Sequence, residues 1–265
     1  MKRRTFVKSS VAACLGGALA AEKASAAPGA GADAREYYEL RSYKLKPNKQ
    51  AILDTYLSTA FVPAVGRLGL GPVGVFIETP KDPNQPPTYY VLIVYKSADE
   101  PATLTARLAA DQQYQKDAAD YLAVTSADPV YDRIESSLLG AIAGIPKLEK
   151  PDTTKPRELN LRIYESHNER AAAKKIELFN LHELPIFRKV GLTPVFFGQS
   201  LIGPRMPNLT YMLVFPDNAA HDAAWKAFGG DQEWHKYSGM PEYSDKEIVS
   251  KITNKILAPA PYSQI

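Results

Sequence analysis

The side chains best suited to chemistry fall in three short stretches. His182 stands in "NLHELPIF", with Glu183 beside it and Pro185 close behind. An imidazole titrates near neutrality and can serve as base, acid or ligand, although a partly buried histidine could equally tie down the backbone that Pro185 frees. Asp231 and His235 lie four residues apart, a spacing that puts a carboxylate and an imidazole on one helix face as two metal ligands. Two ligands do not make a site. The same aspartate occurs at Asp111, with Tyr114 where Trp234 stands, which fits aromatic packing of a helix plus a local hydrogen bond; no metal is assigned. Arg162, with Tyr164 two residues on, could clamp a carboxylate or a flavin- or haem-like anion by paired hydrogen bonds, as could Arg41. Each arginine could instead pair with a carboxylate such as Glu39 or Glu165.

Three known motifs fail on context. "GLGPVG", Gly69 to Gly74, has the dinucleotide-loop spacing, but that motif needs a strand before it and a helix after it, the reverse of the order here, and Pro72 removes an amide. The stretch is read as helix exit and strand entry. "GQSLIG" at Gly198 lacks the spacing of a nucleophile elbow, and "HELPI" lacks the second histidine of a zinc protease.

The elements that must position these residues begin after an N-terminal segment of a different kind. Residues 1–26 read as a twin-arginine signal peptide: Arg3 and Arg4, the apolar run "VAACLGGALAA", and the cleavage pattern Ala24-Ser25-Ala26. That run is too short to span the ~30 Å hydrocarbon core of a bilayer. The expected mature protein begins near Ala27, is periplasmic or secreted, and has no membrane anchor. Cys14 is the only cysteine, so cleavage leaves no disulfide, thiolate metal site or cysteine nucleophile. Cleavage also takes Lys2, Arg3, Arg4, Lys8 and Lys23 against Glu22 from a formal charge of +3, leaving a mature chain near −1. Without a basic field, nucleic acid is excluded as a partner.

The remainder is written twice. "YELRSYKL" answers to "LNLRIYES", with Arg41 over Arg162 and Tyr43 over Tyr164. "FVPAVGRLGLGPVGVF" answers to "ELPIFRKVGLTPVFFG", with Pro63 over Pro185, Gly69 over Gly191 and Pro72 over Pro194. "YVLIVY" answers to "TYMLVF", and "DQQYQK" from Asp111 to "DQEWHK" from Asp231. The offsets stay within 120 to 122 residues. Such order marks an internal repeat. By period, each copy predicts β-α-β-β-α-β. In the first helix Leu53, Leu57, Phe61, Ala64 and Leu68 make one apolar face, Pro47 is placed to open it, and Pro63 should kink or split it, as should Pro185 in the second copy. "PKDPNQPPT" is a surface loop. The expected boundaries are a first domain at 36–139, a linker at 140–157 and a second domain at 158–265. The fold class is α+β: two ferredoxin-like repeats, each with an uncovered sheet face, packed sheet to sheet as an intrachain pseudo-dimeric α/β barrel.

The R-x-Y strand, "HELPIFRKVGLTPV", the helix ending "DQEWHK" and the tail "ILAPAPYSQI" resemble the NIPSNAP family over roughly Glu36 to Leu139 and Glu158 to Ile265. That resemblance implies the dimeric α/β-barrel fold, whose members include haem-degrading monooxygenases, peroxidase-like haem proteins and non-catalytic proteins. It also places any site in the second copy, because the first has Ala60 where His182 stands and Gln115 where His235 stands. Three readings follow. One is small-molecule binding in the second copy's cleft by Arg162, Tyr164, His182, Trp234 and His235. Another is an oxidoreductase of the monooxygenase or haem-associated kind using His182, with the cofactor unspecified. The third is an assembly module, a homo-oligomer joined through exposed strand edges.

Overall fold

Residues 35–80, 82 and 84–265 are described in the computed structural model; the expected signal peptide, its cleavage pattern and Cys14 lie outside them. The first repeat contains β1 (Tyr37–Leu45), α1 (Gln50–Thr55), a π-helical turn (Tyr56–Phe61), α2 (Val62–Arg67), β2 (Val73–Glu78), β3 (Thr88–Tyr95), α3 (Glu100–Ala110), α4 (Gln112–Asp117), α5 (Ala119–Leu122) and β4 (Tyr131–Ala141). The second contains β5 (Glu158–Glu165), α6 (Glu169–Leu178), a π-helical turn (Phe179–Glu183), α7 (Leu184–Val190), β6 (Thr193–Ile202), β7 (Asn208–Phe215), α8 (Asn218–Gly229), α9 (Gln232–Ser238), a 3₁₀ turn (Pro241–Tyr243), α10 (Asp245–Ile248) and β8 (Lys251–Pro259).

Each sheet has one face under its own helices and one face left over, and the two leftover faces cover each other. Cover takes the form of a closed antiparallel barrel in the order β1-β3-β2-β8-β5-β7-β6-β4. The seams are strand pairs: Phe76 and Ile77 on β2 face Pro259 and Ala258 on β8, and Leu139 to Ala141 on β4 face Ser200 to Gly198 on β6. The lumen is filled, as expected for eight strands. Tyr38, Leu92, Leu139, Leu161, Phe196, Met212, Leu257 and Ile265 form one core drawn from both repeats, and Tyr38 meets Phe196 across the junction at 5.0 Å. Fully burying a large apolar side chain contributes about 1.5–3 kcal/mol, so neither sheet has reason to stand alone. Both seams are short: residues 251–257 of β8 pair only with β5, and residues 131–137 of β4 pair only with β1, so those stretches keep one unpaired edge.

The chain end strengthens the first seam. Gln264 and Ser263 accept the amides of Val73 and Val75, and the Tyr262 hydroxyl donates to Asp54 at 2.6 Å. The span expected to be a linker from residue 140 is strand for its first two residues, and it then packs inward: Ile142 and Ile145 are buried in the second repeat's core.

Proline breaks both first helices, in a particular form. A proline lacks the amide that would bond one turn back, and its ring crowds that carbonyl. The strain resolves as the wider i→i+5 turn just before Pro63 and just before Pro185. Pro47 does not open its helix: α1 starts at Gln50, after a turn in which Asn48 takes a positive φ of 63°. Gly69 and Gly191 follow the two helices with φ of 72° and 87°, a region that disfavours a side chain.

Candidate functional site

Strand β5 carries Arg162 and Tyr164 on one face because residues two apart share a side, and β7 sets Tyr211 opposite Arg162. The Arg162 guanidinium donates to the Tyr164 hydroxyl at 3.1 Å, which also meets the Tyr211 hydroxyl at 3.1 Å. Trp225 on α8 lies over the same guanidinium, 4.2 Å from ring centre to Cζ, in cation–π geometry. Burial drives the Tyr211 phenol well above its ordinary pKa.

Above this layer the chain buries a complete ion pair. Lys175 on α6 donates to Glu183 at 2.7 Å, both side chains being 2% exposed. It also reaches the half-exposed Asp245 at 3.2 Å, and its ammonium sits 5.0–5.7 Å from the rings of Phe179, Tyr164 and Trp234. Eight residues along a regular α-helix leave two side chains about 80° apart. The π turn between them rotates less per residue and returns both to the inner face. Burial lifts the Glu183 carboxyl above its usual range, with Lys175 opposing. Burial works to lower Lys175, but Glu183 and Asp245 outweigh it and hold the amine above its usual value.

The residues expected at the site are only partly gathered. Arg162 and Tyr164 are bonded to each other, and Trp234 joins them through Lys175. His182 does not face them. Its half-buried ring stacks on Tyr237 at 3.7 Å and meets Tyr243 edge-on at 5.8 Å, because at the π turn it is Glu183, not His182, that turns inward. His235 is exposed on α9. Asp231 caps that helix, accepting the amides of Glu233 and Trp234 at 2.9 and 3.1 Å, and pairs with Lys189; Asp111 caps α4 through the Tyr114 amide and pairs with Arg67. Among the described residues no three His, Cys, Asp or Glu side chains converge as metal ligands. Lys175, Tyr211, Trp225 and His221 were not anticipated.

The same position in the first repeat is neutralised. Arg41 makes a two-point bond to Glu39, at 2.6 and 3.0 Å, and Glu39 also accepts from Tyr95 and Ser136. Burial pushes the Glu39 carboxyl up, but Arg41, Ser136 and Tyr95 together hold it below its usual range. Asn160 takes the place of Glu39 in the second repeat and bonds Asn254 instead, leaving Arg162 without a carboxylate on its own strand; Glu165, the other expected partner, makes no bond to it.

Comparison with known proteins agrees with the geometry. About 10% of residues are identical between this chain and a candidate monooxygenase from Fusobacterium nucleatum, with a TM-score of 0.56 over 86% of this chain and 93% of that one. A candidate monooxygenase from Lactobacillus acidophilus gives a TM-score of 0.54 at 10% identity over 85% and 94%, and an anthrone oxidase-like protein 0.53 at 7% over 86% and 92%. At such identities these likenesses show the fold alone. No curated protein sequence matches the chain. Residues 38–137 and 159–264 each match the NIPSNAP family, so the duplicated sheet, the paired R-x-Y strands and the shared barrel are those of a tandem protein, and the chain belongs to the NIPSNAP family.

Proposed function

We propose that the second repeat binds a small anionic aromatic molecule, with Arg162 taking its charge and Trp225 its ring. One observation carries this reading: Arg162 Nε, Trp225 Nε1 and His221 Nε2 are buried with no hydrogen-bond partner among the described residues. They belong to one cluster, since Trp225 covers Arg162 and the His221 ring lies 6.4 Å from that of Trp225. A buried polar group left unpaired costs about 1–3 kcal/mol, and more when charged. A ligand carboxylate supplies the missing acceptors, while the Tyr164 and Tyr211 hydroxyls line its other side. Entry moves Trp225 off the guanidinium.

The test uses a convenience of the sequence: its two tryptophans are Trp225 and Trp234, both in this repeat. Titration with benzoate should change their fluorescence. Arg162→Met should weaken binding by about tenfold or more, the size of a charge-assisted bond, and Arg41→Met should leave it unchanged. Equal losses in both variants would refute the assignment. We further propose that residues 1–26 direct export; N-terminal sequencing of protein recovered outside the cytoplasm should begin near Ala27, and an intact N-terminus there would overturn it.

A further inference from the structure

We propose that the first repeat holds a second, chemically different binding site: an open cleft over Arg41 that accepts a neutral, planar aromatic molecule with a hydrogen-bonding group. The cleft has a volume of about 310 Å³ and is lined by Tyr56, Phe61, Thr105, Tyr114, Gln115 and Leu122, with Arg41 among the lining residues. One aligned difference lies directly over the guanidinium. Thr105 occupies the position of Trp225, since Asp111 and Asp231 mark the same point of the two helical segments and both residues lie six before it. In the second repeat that indole covers the guanidinium; in the first, a short threonine leaves the space above it open.

The character of the ligand follows from the walls. Arg41 already carries its counter-charge in Glu39, so an entering anion would meet a neutral pair and the Glu39 carboxylate beside it. The Tyr56–Tyr114 pair, whose hydroxyls are 3.0 Å apart, gives an aromatic floor with a polar edge, backed by the fully buried Phe61. Tyr56 is fixed by stacking on Tyr121 at 3.7 Å and 8°, so this wall is preformed. Thr105 and Gln115 at the rim supply a hydroxyl and an amide, and Leu122, 48% exposed, offers apolar surface at the mouth. Binding to a preformed cleft avoids the ordering cost of an induced one.

Benzamide and benzoate have nearly the same shape and differ in charge, so they separate the two sites. Ligand-observed NMR on the full chain should show benzamide binding that benzoate does not displace. Thr105→Trp, which copies the other repeat's plug at an exposed position, should weaken benzamide at least tenfold without changing benzoate. Gln115→Ala should weaken it severalfold, and Arg162→Met should leave it untouched, so failure of the anion site and failure of this one are distinguishable. Circular dichroism checks that each variant is folded. Absence of benzamide binding, displacement by benzoate, or unchanged affinity in both Thr105→Trp and Gln115→Ala would overturn the proposal.

Discussion

The two repeats share a backbone plan and differ in where they keep charge. At the aligned helix positions the first repeat has Leu53 and Phe61, both fully buried, and the second has the Lys175–Glu183 pair. At the strand the first has Glu39 against Arg41, and the second has Asn160 turned away from Arg162. Over the guanidinium the first has Thr105 and an open cleft, the second Trp225. Each change is small. Together they convert a neutral, accessible layer between sheet and helices into a charged, covered one. The lumen needs no such asymmetry, since it is built from both copies at once. Duplication within one chain lets the helix-covered faces diverge while the mutual cover of the sheets holds the barrel together.

The largest effect that would sharpen this contrast lies at the ion pair. Glu183→Ala leaves the buried ammonium only the half-exposed Asp245 and should destabilise the protein by up to about 3–5 kcal/mol, whereas the double change Lys175→Leu with Glu183→Phe, which installs the first repeat's residues, should recover most of that or exceed wild type by about 1–4 kcal/mol. Urea unfolding of the three proteins measures both, and a double variant no better than the single would show that the pair is required for the fold. Next comes Asn160→Glu, which gives Arg162 the partner that Arg41 has; benzoate affinity should fall about tenfold, read by tryptophan fluorescence.

The smallest effects concern what the repeats have in common. The Tyr114 amide first and Arg67 next hold Asp111 below the ordinary aspartate range, and Lys189 first with the Trp234 amide next does the same for Asp231. A carboxyl with a lowered folded-state pKa contributes stability that is complete above its unfolded pKa, about 3.9, and is lost as pH falls through the lowered value. Asp111→Asn and Asp231→Asn should therefore each flatten the acid side of the stability curve by a similar, small amount, and markedly unequal effects would contradict the matched geometry of the two caps.

Much of this fold was legible because repetition is a strong signal: offsets held within two residues over four blocks, and strand alternation gave the order of elements. The caps at Asp111 and Asp231 were legible as a repeated local bond for the same reason. The site was less so. Lys175 follows Lys174 in a polar-looking helix, and only the π turn after Leu178 brings it inward with Glu183; a period of 3.6 residues gives no sign of that change in rotation. Carried over the helices, the alignment would have set Lys175 over Leu53 and Glu183 over Phe61, an unusual exchange of apolar for charged. His182 drew attention for its chemistry, but the same turn sends it outward to Tyr237. Trp225 sits among alanines in α8, and its place over Arg162 depends on sheet and helix packing that no local pattern encodes.

The most direct test is a crystal structure of the protein soaked with benzoate and benzamide together. The account predicts benzoate on the Arg162 guanidinium with the Trp225 ring displaced, and benzamide beneath Thr105 beside Tyr56 and Tyr114. Both molecules in one repeat, or benzoate seated on Arg41 with Arg162 still covered, would contradict it.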